Sequence, residues 1–236
     1  MLERLPRVLG LAFFALVLVA SAAAFANEPI FVRPEQLDVR QILPTAPADA
    51  SLQTKADLAE LHHIEGMRTA EDIARAKADD GEEDIFVFKS VLGDGFTAKK
   101  LPLTATLSAH LRDDEPIFVS MGKDYWNRPR PLFIDPTLHP VCKLSHSGAY
   151  PSGHAVNGYL EALVLVAMVP ERRDAIFARA DEYARNRLVC GVHYPSDLEA
   201  GKRLAYALIG LIMNNPRFQV EFAQAKAELR QALALP

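Results

Sequence analysis

Hydrophobic and polar positions along this chain repeat mainly at helical spacing. Apolar faces built of Leu, Val, Ala and Ile recur at intervals of three and four residues through most of the sequence. Alternation with a period of two is scarce, and no hairpin signal or internal repeat is found. The pattern therefore predicts an all-α, single-domain helical bundle. Its main predicted helical segments are 86–92, 101–111, 116–125, 152–169, 171–188, 196–213 and 217–234.

The beginnings of two further helices are predicted by capping patterns. Thr54-x-x-Asp57 and Thr69-x-x-Asp72 each put a hydroxyl three residues before an acid, as at helix N-termini. The acidic run over residues 79–84 is consecutive rather than spaced as in a calcium loop, so we interpret it as a solvated helix end. Residues 27–50 contain four prolines and no helical period. They predict an extended N-terminal arm, followed by a helical domain over 51–236.

The first 26 residues have the pattern of a cleaved secretory signal peptide. Arg4 and Arg7 precede an apolar run over residues 9–20, and Ala-Phe-Ala at 24–26 matches a signal-peptidase site. The apolar run is shorter than the ~20 residues that a spanning helix needs, which favours cleavage over a retained anchor. We therefore expect export, in a bacterium to the periplasm, and no stable membrane insertion of the mature chain.

Composition narrows the function. The 236 residues carry a formal net charge of −4, which argues against a nucleic-acid-binding protein. Two cysteines exclude a four-thiolate metal site. In an exported protein Cys142 and Cys190 can form a disulfide, and two buried free thiols are the alternative.

Residues 128–151 carry five prolines and predict a long structured loop of functional importance.

The segment Pro151-Ser152-Gly153-His154 predicts a helix N-terminus suited to an anion. Pro151 fits the first helical position, where its missing N–H costs nothing. Ser152 and Gly153 then lie in the first turn with free backbone N–H groups, and the helix dipole favours negative charge there. Taken alone, the segment is equally typical of an ordinary helix start with a surface histidine.

A second segment, residues 187–197, combines a cation with a histidine–carboxylate pair. His193 precedes Asp197 by four residues, so the carboxylate can fix the imidazole tautomer and leave the other ring nitrogen free as a nucleophile. Arg187 supplies a planar fork suited to phosphate. Taken alone, the segment is equally typical of a capping arginine beside a surface His–Asp pair. Lys123 and Arg130, seven residues apart, offer two more cations, which without context are ordinary surface charges. For Arg128, substrate contact, positioning and surface exposure all stay open.

Together these segments resemble the signature of one superfamily. Lys-x6-Arg-Pro, Pro-Ser-Gly-His and Arg-x5-His-x3-Asp occur in type 2 phosphatidate phosphatases, bacterial class A non-specific acid phosphatases and vanadium haloperoxidases. The stretches 76–80, 83–86, 101–104, 142–150 and 189–191 are similar to the class A acid phosphatases in particular. The resemblance covers roughly residues 65–210. One departure is Asn186, where the family usually has Ser.

The resemblance implies a helical phosphatase of the acid phosphatase/vanadium haloperoxidase type that needs no metal and no cofactor. His193 attacks phosphorus, His154 protonates the leaving alcohol and later activates water, and Asp197 orients His193. A charged His154 and a neutral His193 predict a bell-shaped pH profile on the acidic side of neutral. The phosphate oxygens would be held by Lys123, Arg130, Ser152, Gly153 and Arg187.

The implied substrates are small phosphomonoesters: nucleotides, sugar phosphates and aryl phosphates. His146 and Tyr150 either line the substrate entrance or order the loop that carries them. Phosphotransfer to an alcohol, a vanadium-dependent haloperoxidase and an inactive phosphate-ester binding protein are the alternative functions. The sequence also leaves open whether the protein forms a homo-oligomer.

Overall fold

The computed structural model describes residues 29–236, and the predicted signal peptide lies outside this range. Within 29–236 the regular structure is helical and no strand occurs, so the all-α prediction is confirmed. Short 3-10 turns cover Pro34–Gln36, Ile85–Phe88 and Pro170–Arg172. The α-helices are α1 (Val39–Ile42), α2 (Leu52–Met67), α3 (Ala70–Gly81), α4 (Lys89–Leu92), α5 (Pro102–Trp126), α6 (Pro131–Ile134), α7 (Gly153–Met168), α8 (Arg173–Val189), α9 (Pro195–Ile212) and α10 (Pro216–Ala232).

Helix α7 forms the centre of the bundle. It is buried on nearly every side and packs against α5, α8 and α9, while α10 covers the outer side of α5. Its composition explains this position, because a helix that is apolar all round can only be buried. A smaller apolar cluster joins α2 and α3 to the loop after α8 and to the loop over residues 135–152. Within 29–236, no helix is both long enough and apolar enough to cross a bilayer.

The helix starts follow the predicted capping chemistry with one shift. Thr69 caps α3 in a reciprocal capping box with Asp72, as the sequence predicts. The N-cap of α2 is Ser51, three residues before the predicted cap, because Ser51 accepts the hydrogen bond from the Thr54 N–H. Thr54 instead turns inward and donates its hydroxyl hydrogen to the carbonyl of Ala48.

Helix α5 unites two segments that were predicted separately. It runs through Pro116, which removes one backbone donor, and it stays helical because its neighbours Glu115, Phe118 and Val119 are buried against the bundle. The apolar segment 86–92 is a 3-10 turn followed by the short helix α4. The proline-rich loop includes the one-turn helix α6.

The prediction of a solvated helix end over residues 79–84 is wrong for its first two acids. Asp79 is buried and accepts hydrogen bonds from Arg179 at 2.5 Å and from Asn186 at 2.7 Å. Asp80 accepts one from Arg187 at 2.5 Å. Since α3 packs against α8, these two acids neutralise arginines of α8, Asp79 from a buried position and Asp80 from a partly exposed one.

The N-terminal arm is fixed to the bundle by a buried carboxylate. The backbone N–H groups of Ile30, Phe31 and Val32 donate to Asp114 of α5 at 2.5, 2.6 and 3.0 Å. Apart from the turn Pro34–Gln36 and the short helix α1, residues 29–50 have no helix or strand. Near the end of the arm, the Pro44 carbonyl accepts a hydrogen bond from Tyr150 at 2.8 Å.

Candidate active site

Most of the predicted site residues meet in one cavity. The cavity has a volume of about 620 Å³ and lies between the ends of α3, α5, α7 and α8 and the loops after α6 and α8. Ser152, Asp197 and Tyr150 are buried and do not line it. The predicted residues that do line it are Lys123, Arg130, His146, Gly153, His154, Arg187 and His193.

The N-terminus of α7 presents its first turn to this cavity. Ser152 is the N-cap and accepts from the Ala155 N–H at 3.4 Å, so Pro151 precedes the helix instead of occupying its first position. The peptide bond between Tyr150 and Pro151 is cis. The Ser152 N–H donates to the Asp197 carbonyl at 3.1 Å, which ties the start of α7 to the start of α9. Gly153, which directly follows the cap, can offer its backbone N–H to an anion.

Hydrogen bonds on both sides of His193 define its tautomer. Its Nδ1 lies 3.2 Å from Oδ2 of Asp197, and its Nε2 lies 3.0 Å from a guanidinium nitrogen of Arg130. A guanidinium can only donate, so Nε2 is the acceptor and Nδ1 carries the hydrogen. His193 thus points a lone pair at a cation-rich part of the cavity, as a nucleophile requires.

The environment keeps this imidazole neutral. Burial lowers the pKa of His193 well below its usual value, and the charges of Arg130 and Arg187 act in the same direction. Burial raises the pKa of Asp197 to about 7, while the Arg128 guanidinium opposes that shift. Asp197 also accepts the Tyr194 N–H at 2.9 Å, and this donor, like Arg128, favours the ionised carboxylate against the effect of burial.

Arg128 holds Asp197 from behind. One of its guanidinium nitrogens donates to Asp197 at 2.6 Å and to Ser196 at 2.7 Å, and the other lies 3.3 Å from Asp57 of α2. The guanidinium also stacks 3.8 Å from the centre of the Tyr194 ring. Of the three roles left open by the sequence, the geometry supports positioning, because Arg128 is buried and does not line the cavity.

Three cations surround the face of the cavity in front of His193. Arg130 donates to the carbonyls of Val192 at 2.9 Å and Ser147 at 3.2 Å, which fixes its plane. Burial lowers the pKa of Arg130 to about 10, and burial followed by the nearby Arg130 charge lowers the pKa of Lys123. The third cation, Arg187, pairs with Asp80 and keeps its Nε without a partner among the described residues.

His154 lies at the other side of the same cavity. Its ring stacks on Tyr183 with 5.7 Å between centroids, and its Nε2 is 3.5 Å from the carboxylate of Glu83. Burial, followed by the charge of Arg187, lowers the pKa of His154 to about 3. The imidazole is therefore neutral in this cation-rich site, in contrast to the charged His154 that the resemblance implies.

The remaining predicted residues divide between the cavity rim and its scaffold. His146 is exposed at the rim, whereas Tyr150 is buried against Trp126 and bonds to the arm, so it orders the loop. Cys142 and Cys190 form a disulfide, which joins the proline-rich loop to the turn before His193. Asn186 donates to Asp79 and supports α8 from a buried position.

Sequence reasoning missed four residues of this site. Asp57 supports Arg128, and Glu83, Glu115 and Asn157 line the cavity. Glu83 belongs to a stretch that carries the family resemblance, which was the one available signal. Asp57 belongs to a pattern that predicts only a helix cap. Glu115 falls between two predicted helical segments and Asn157 inside a third, and nothing in the sequence indicates that either side chain meets the cavity.

Comparisons with known proteins show to which family this chain belongs. Residues 104–221 match the PAP2 superfamily. A non-specific acid phosphatase of Providencia stuartii is 32% identical over 60% of this chain, and the chain spans 59% of that relative. A non-specific acid phosphatase of Salmonella typhi is 30% identical over 93% of this chain and 91% of its own length.

A solved structure shares the fold. The crystal structure of the first bacterial vanadium-dependent iodoperoxidase superposes with a TM-score of 0.56 at 20% identity, and the match covers 76% of this chain and 54% of the other. At this identity the likeness concerns the fold alone, which supports the predicted type of helical bundle.

Proposed function

The chain belongs to the PAP2 superfamily, and from this premise we propose that it is an exported acid phosphatase that hydrolyses a broad range of phosphomonoesters through a phosphohistidine. The observation that carries the proposal is the neutral His193, whose Nε2 lone pair faces a cavity lined by Lys123, Arg130 and Arg187. Related proteins named non-specific acid phosphatases support the reaction class. Nucleotides, sugar phosphates and aryl phosphates are the substrates we propose.

The first step forms a bond from His193 Nε2 to phosphorus and breaks the bond from phosphorus to the ester oxygen. Before attack, Arg130 must transfer its hydrogen bond from Nε2 to a phosphate oxygen, which frees the lone pair at the moment the substrate binds. Lys123, Arg187 and the Gly153 N–H bind the other oxygens. Phosphoryl transfer depends on positioning and charge neutralisation, which these groups supply without a metal.

His154 gives the leaving oxygen its proton. Since its pKa is about 3 in the protein, the proton must arrive with the substrate. A phosphomonoester loses its second proton near pH ~6, so at acidic pH it binds as a monoanion. The bound phosphate also offsets the positive charges that depress the pKa of His154, and the proton can pass to Nε2 and then to the leaving alcohol.

The second step reverses these roles. Neutral His154 takes a proton from water, the water oxygen bonds to phosphorus, and the bond to His193 breaks. Asp197 stabilises the positive charge of the phosphorylated imidazole and keeps its ring oriented. An alcohol in place of water would give phosphotransfer by the same step. The disulfide between Cys142 and Cys190 supports export to an oxidising compartment such as the periplasm.

Hydrolysis of p-nitrophenyl phosphate tests the proposal. The protein without its signal peptide is assayed at pH about 6, in the histidine range, with excess EDTA. We expect turnover by the wild type, loss of turnover in His193→Ala and wild-type turnover in His63→Ala, an exposed histidine of α2 that serves as the control. No turnover by the folded wild type would overturn the proposed function.

A further inference from the structure

Two buried polar atoms of the cavity have no role in the reaction described above. Glu115 Oε1 and Asn157 Oδ1 have no hydrogen-bond partner among the described residues, although both residues line the cavity. Their relative exposures are 8% and 4%. Leaving such atoms unpaired is costly, so their presence in a binding cavity points to a ligand that pairs with them.

Asn157 has a defined orientation. Its Nδ2 donates to the backbone carbonyl of Glu83 at 2.6 Å, and because a carbonyl can only accept, the amide cannot be turned round. Oδ1 is therefore the atom left without a partner. Asn157 also lies one helical turn after His154 on α7, so both side chains belong to the same helix face.

Glu115 approaches the first turn of the same helix from α5. Its Oε1 lies 3.6 Å from the position that a Cβ on Gly153 would occupy. The charged groups around it are Lys123 and Arg112 on α5 and Glu83 before the 3-10 turn, with His154 facing the cavity from α7. Burial raises the pKa of Glu115 to about 8, so at acidic pH it is a neutral acid that can both donate and accept.

Asn157 lies on the His154 side of the cavity, and Glu115 reaches the first turn of the helix that carries Asn157 and His154. In-line transfer puts the departing oxygen opposite the nucleophile His193 and beside its proton donor His154. Glu83 is 3.5 Å from His154 and also carries the carbonyl that holds Asn157. The three phosphate-binding cations are not needed for this part of the substrate, and the carboxylate of Glu83 disfavours a second anion there.

We infer that Glu115 and Asn157 form a leaving-group subsite that recognises the hydroxyl groups of a polyol or sugar phosphate. This inference rests on the proposed phosphatase function and names the substrate class of its site. A hydroxyl can donate to Asn157 Oδ1, and a second hydroxyl can exchange a hydrogen bond with Glu115. A plain alkyl or aryl leaving group leaves both protein atoms unpaired.

The test compares glycerol 1-phosphate with n-propyl phosphate, which has the same carbon chain without the two hydroxyls. In the wild type we expect kcat/KM to be about tenfold or more higher for glycerol 1-phosphate. Asn157→Leu and Glu115→Leu should bring the ratio close to one, chiefly by lowering kcat/KM for glycerol 1-phosphate. Glu115→Gln, which keeps a donor and an acceptor, should retain the preference.

The matched control is Glu161→Gln. Glu161, on α7, is also a buried carboxyl with a pKa raised to about 8 by burial, but only one of its oxygens pairs, with Ser108, and the residue does not line the cavity. Its variant should keep the wild-type ratio. The subsite is overturned if the wild type does not prefer glycerol 1-phosphate, a result that needs no variant to fold. It is equally overturned if the preference survives both leucine variants, whereas failure of the wild type to hydrolyse either ester overturns the phosphatase function itself.

Discussion

At the scale of single residues, the chemistry depends on which nitrogen of His193 carries the hydrogen. The spacing from His193 to Asp197 predicts a bond at one ring nitrogen, and the structure has that bond at 3.2 Å. It could not predict that Arg130 occupies the other nitrogen at 3.0 Å, since this contact joins residues 63 positions apart. The nucleophile is thus covered by a group that must itself turn toward the substrate.

The lowered pKa of His193 predicts an unusual acid limb in the pH dependence of kcat/KM. A histidine with its ordinary pKa of ~6.5 becomes protonated as the pH falls through that value and loses its lone pair. With a lowered pKa the neutral form persists to lower pH, so we expect kcat/KM for glycerol 1-phosphate, whose leaving alcohol needs a proton, not to fall between about pH 6.5 and 5. Above about pH 6 it should fall, because the monoanion that carries the proton gives way to the dianion.

A pH series of kcat/KM from acidic to alkaline buffers checks this expectation. An acid limb centred near ~6.5, the value of an ordinary histidine, would contradict the neutral site derived for His193. A rate that keeps rising at alkaline pH would contradict the transfer of a proton from the substrate through His154.

The role of Arg128 cannot be decided from its position in the sequence. Its position between two site cations fits substrate contact as well as support, and only the buried bonds to Asp197 and Asp57 decide for support. Because lysine cannot reproduce the forked geometry, we expect Arg128→Lys to lower kcat about tenfold while KM stays within about twofold. Steady-state kinetics measure the two separately, with Arg75→Lys on the exposed face of α3 as the control.

A rise in KM without a fall in kcat would instead make Arg128 a substrate-binding residue. If both kcat and KM are unchanged, Arg128 does not position Asp197 for catalysis.

At the scale of elements, the site depends on the close crossing of α7 and α9. A Cβ on Gly201 would lie 2.7 Å from the Ser152 carbonyl oxygen and 2.8 Å from the Ala155 Cβ. Backbone cannot yield as a flexible side chain can, so we expect Gly201→Ala to lower the free energy of unfolding by about 1–3 kcal/mol and to reduce activity, since Ser152 begins the anion-binding turn.

Gly210 provides the matched control in the same helix. A Cβ there meets nothing within 4 Å, so Gly210→Ala should be neutral or should raise the free energy of unfolding by about 0.5–1 kcal/mol. Denaturant unfolding measures both variants. Equal effects of the two substitutions would contradict the close crossing.

The sequence predicts where the long helices lie, but it predicts the residues at which they begin and end less well. Apolar periodicity marks α7, α8, α9 and α10 to within about two residues, because burial of one face dominates such long segments. Local rules misjudged Pro116, where the surrounding packing outweighs one missing hydrogen bond. They also misjudged Pro151, since Ser152 caps the helix.

At the scale of the whole molecule, charges distant in sequence neutralise one another. The acidic end of α3 looked solvated because its partners Arg179 and Arg187 lie about a hundred positions later. No local pattern indicates such a pairing. The family resemblance supplied the order of the motifs, while the fold decides which acids become buried partners.

The arm makes a further long-range contact that can be tested. Asp114 accepts three backbone N–H groups of residues 30–32, and an amide at that position would turn donors toward them or leave them unpaired. We expect Asp114→Asn to lower the free energy of unfolding by about 3 kcal/mol. Asp124→Asn, on the exposed side of the same helix, should change it by less than about 0.5 kcal/mol.

Denaturant unfolding of both proteins measures this difference. If Asp114→Asn is as stable as the wild type, the arm is not held by this carboxylate.

The central claim is that His193 carries the phosphoryl group, and trapping that intermediate tests it most directly. A His154→Ala variant still allows attack on p-nitrophenyl phosphate, whose leaving group needs little protonation, but it lacks the base for hydrolysis. Quenched in alkaline denaturant and analysed by mass spectrometry, it should gain the mass of one phosphoryl group, located on the peptide that contains His193. Absence of the adduct despite release of p-nitrophenol, or an adduct on another residue, would contradict the account.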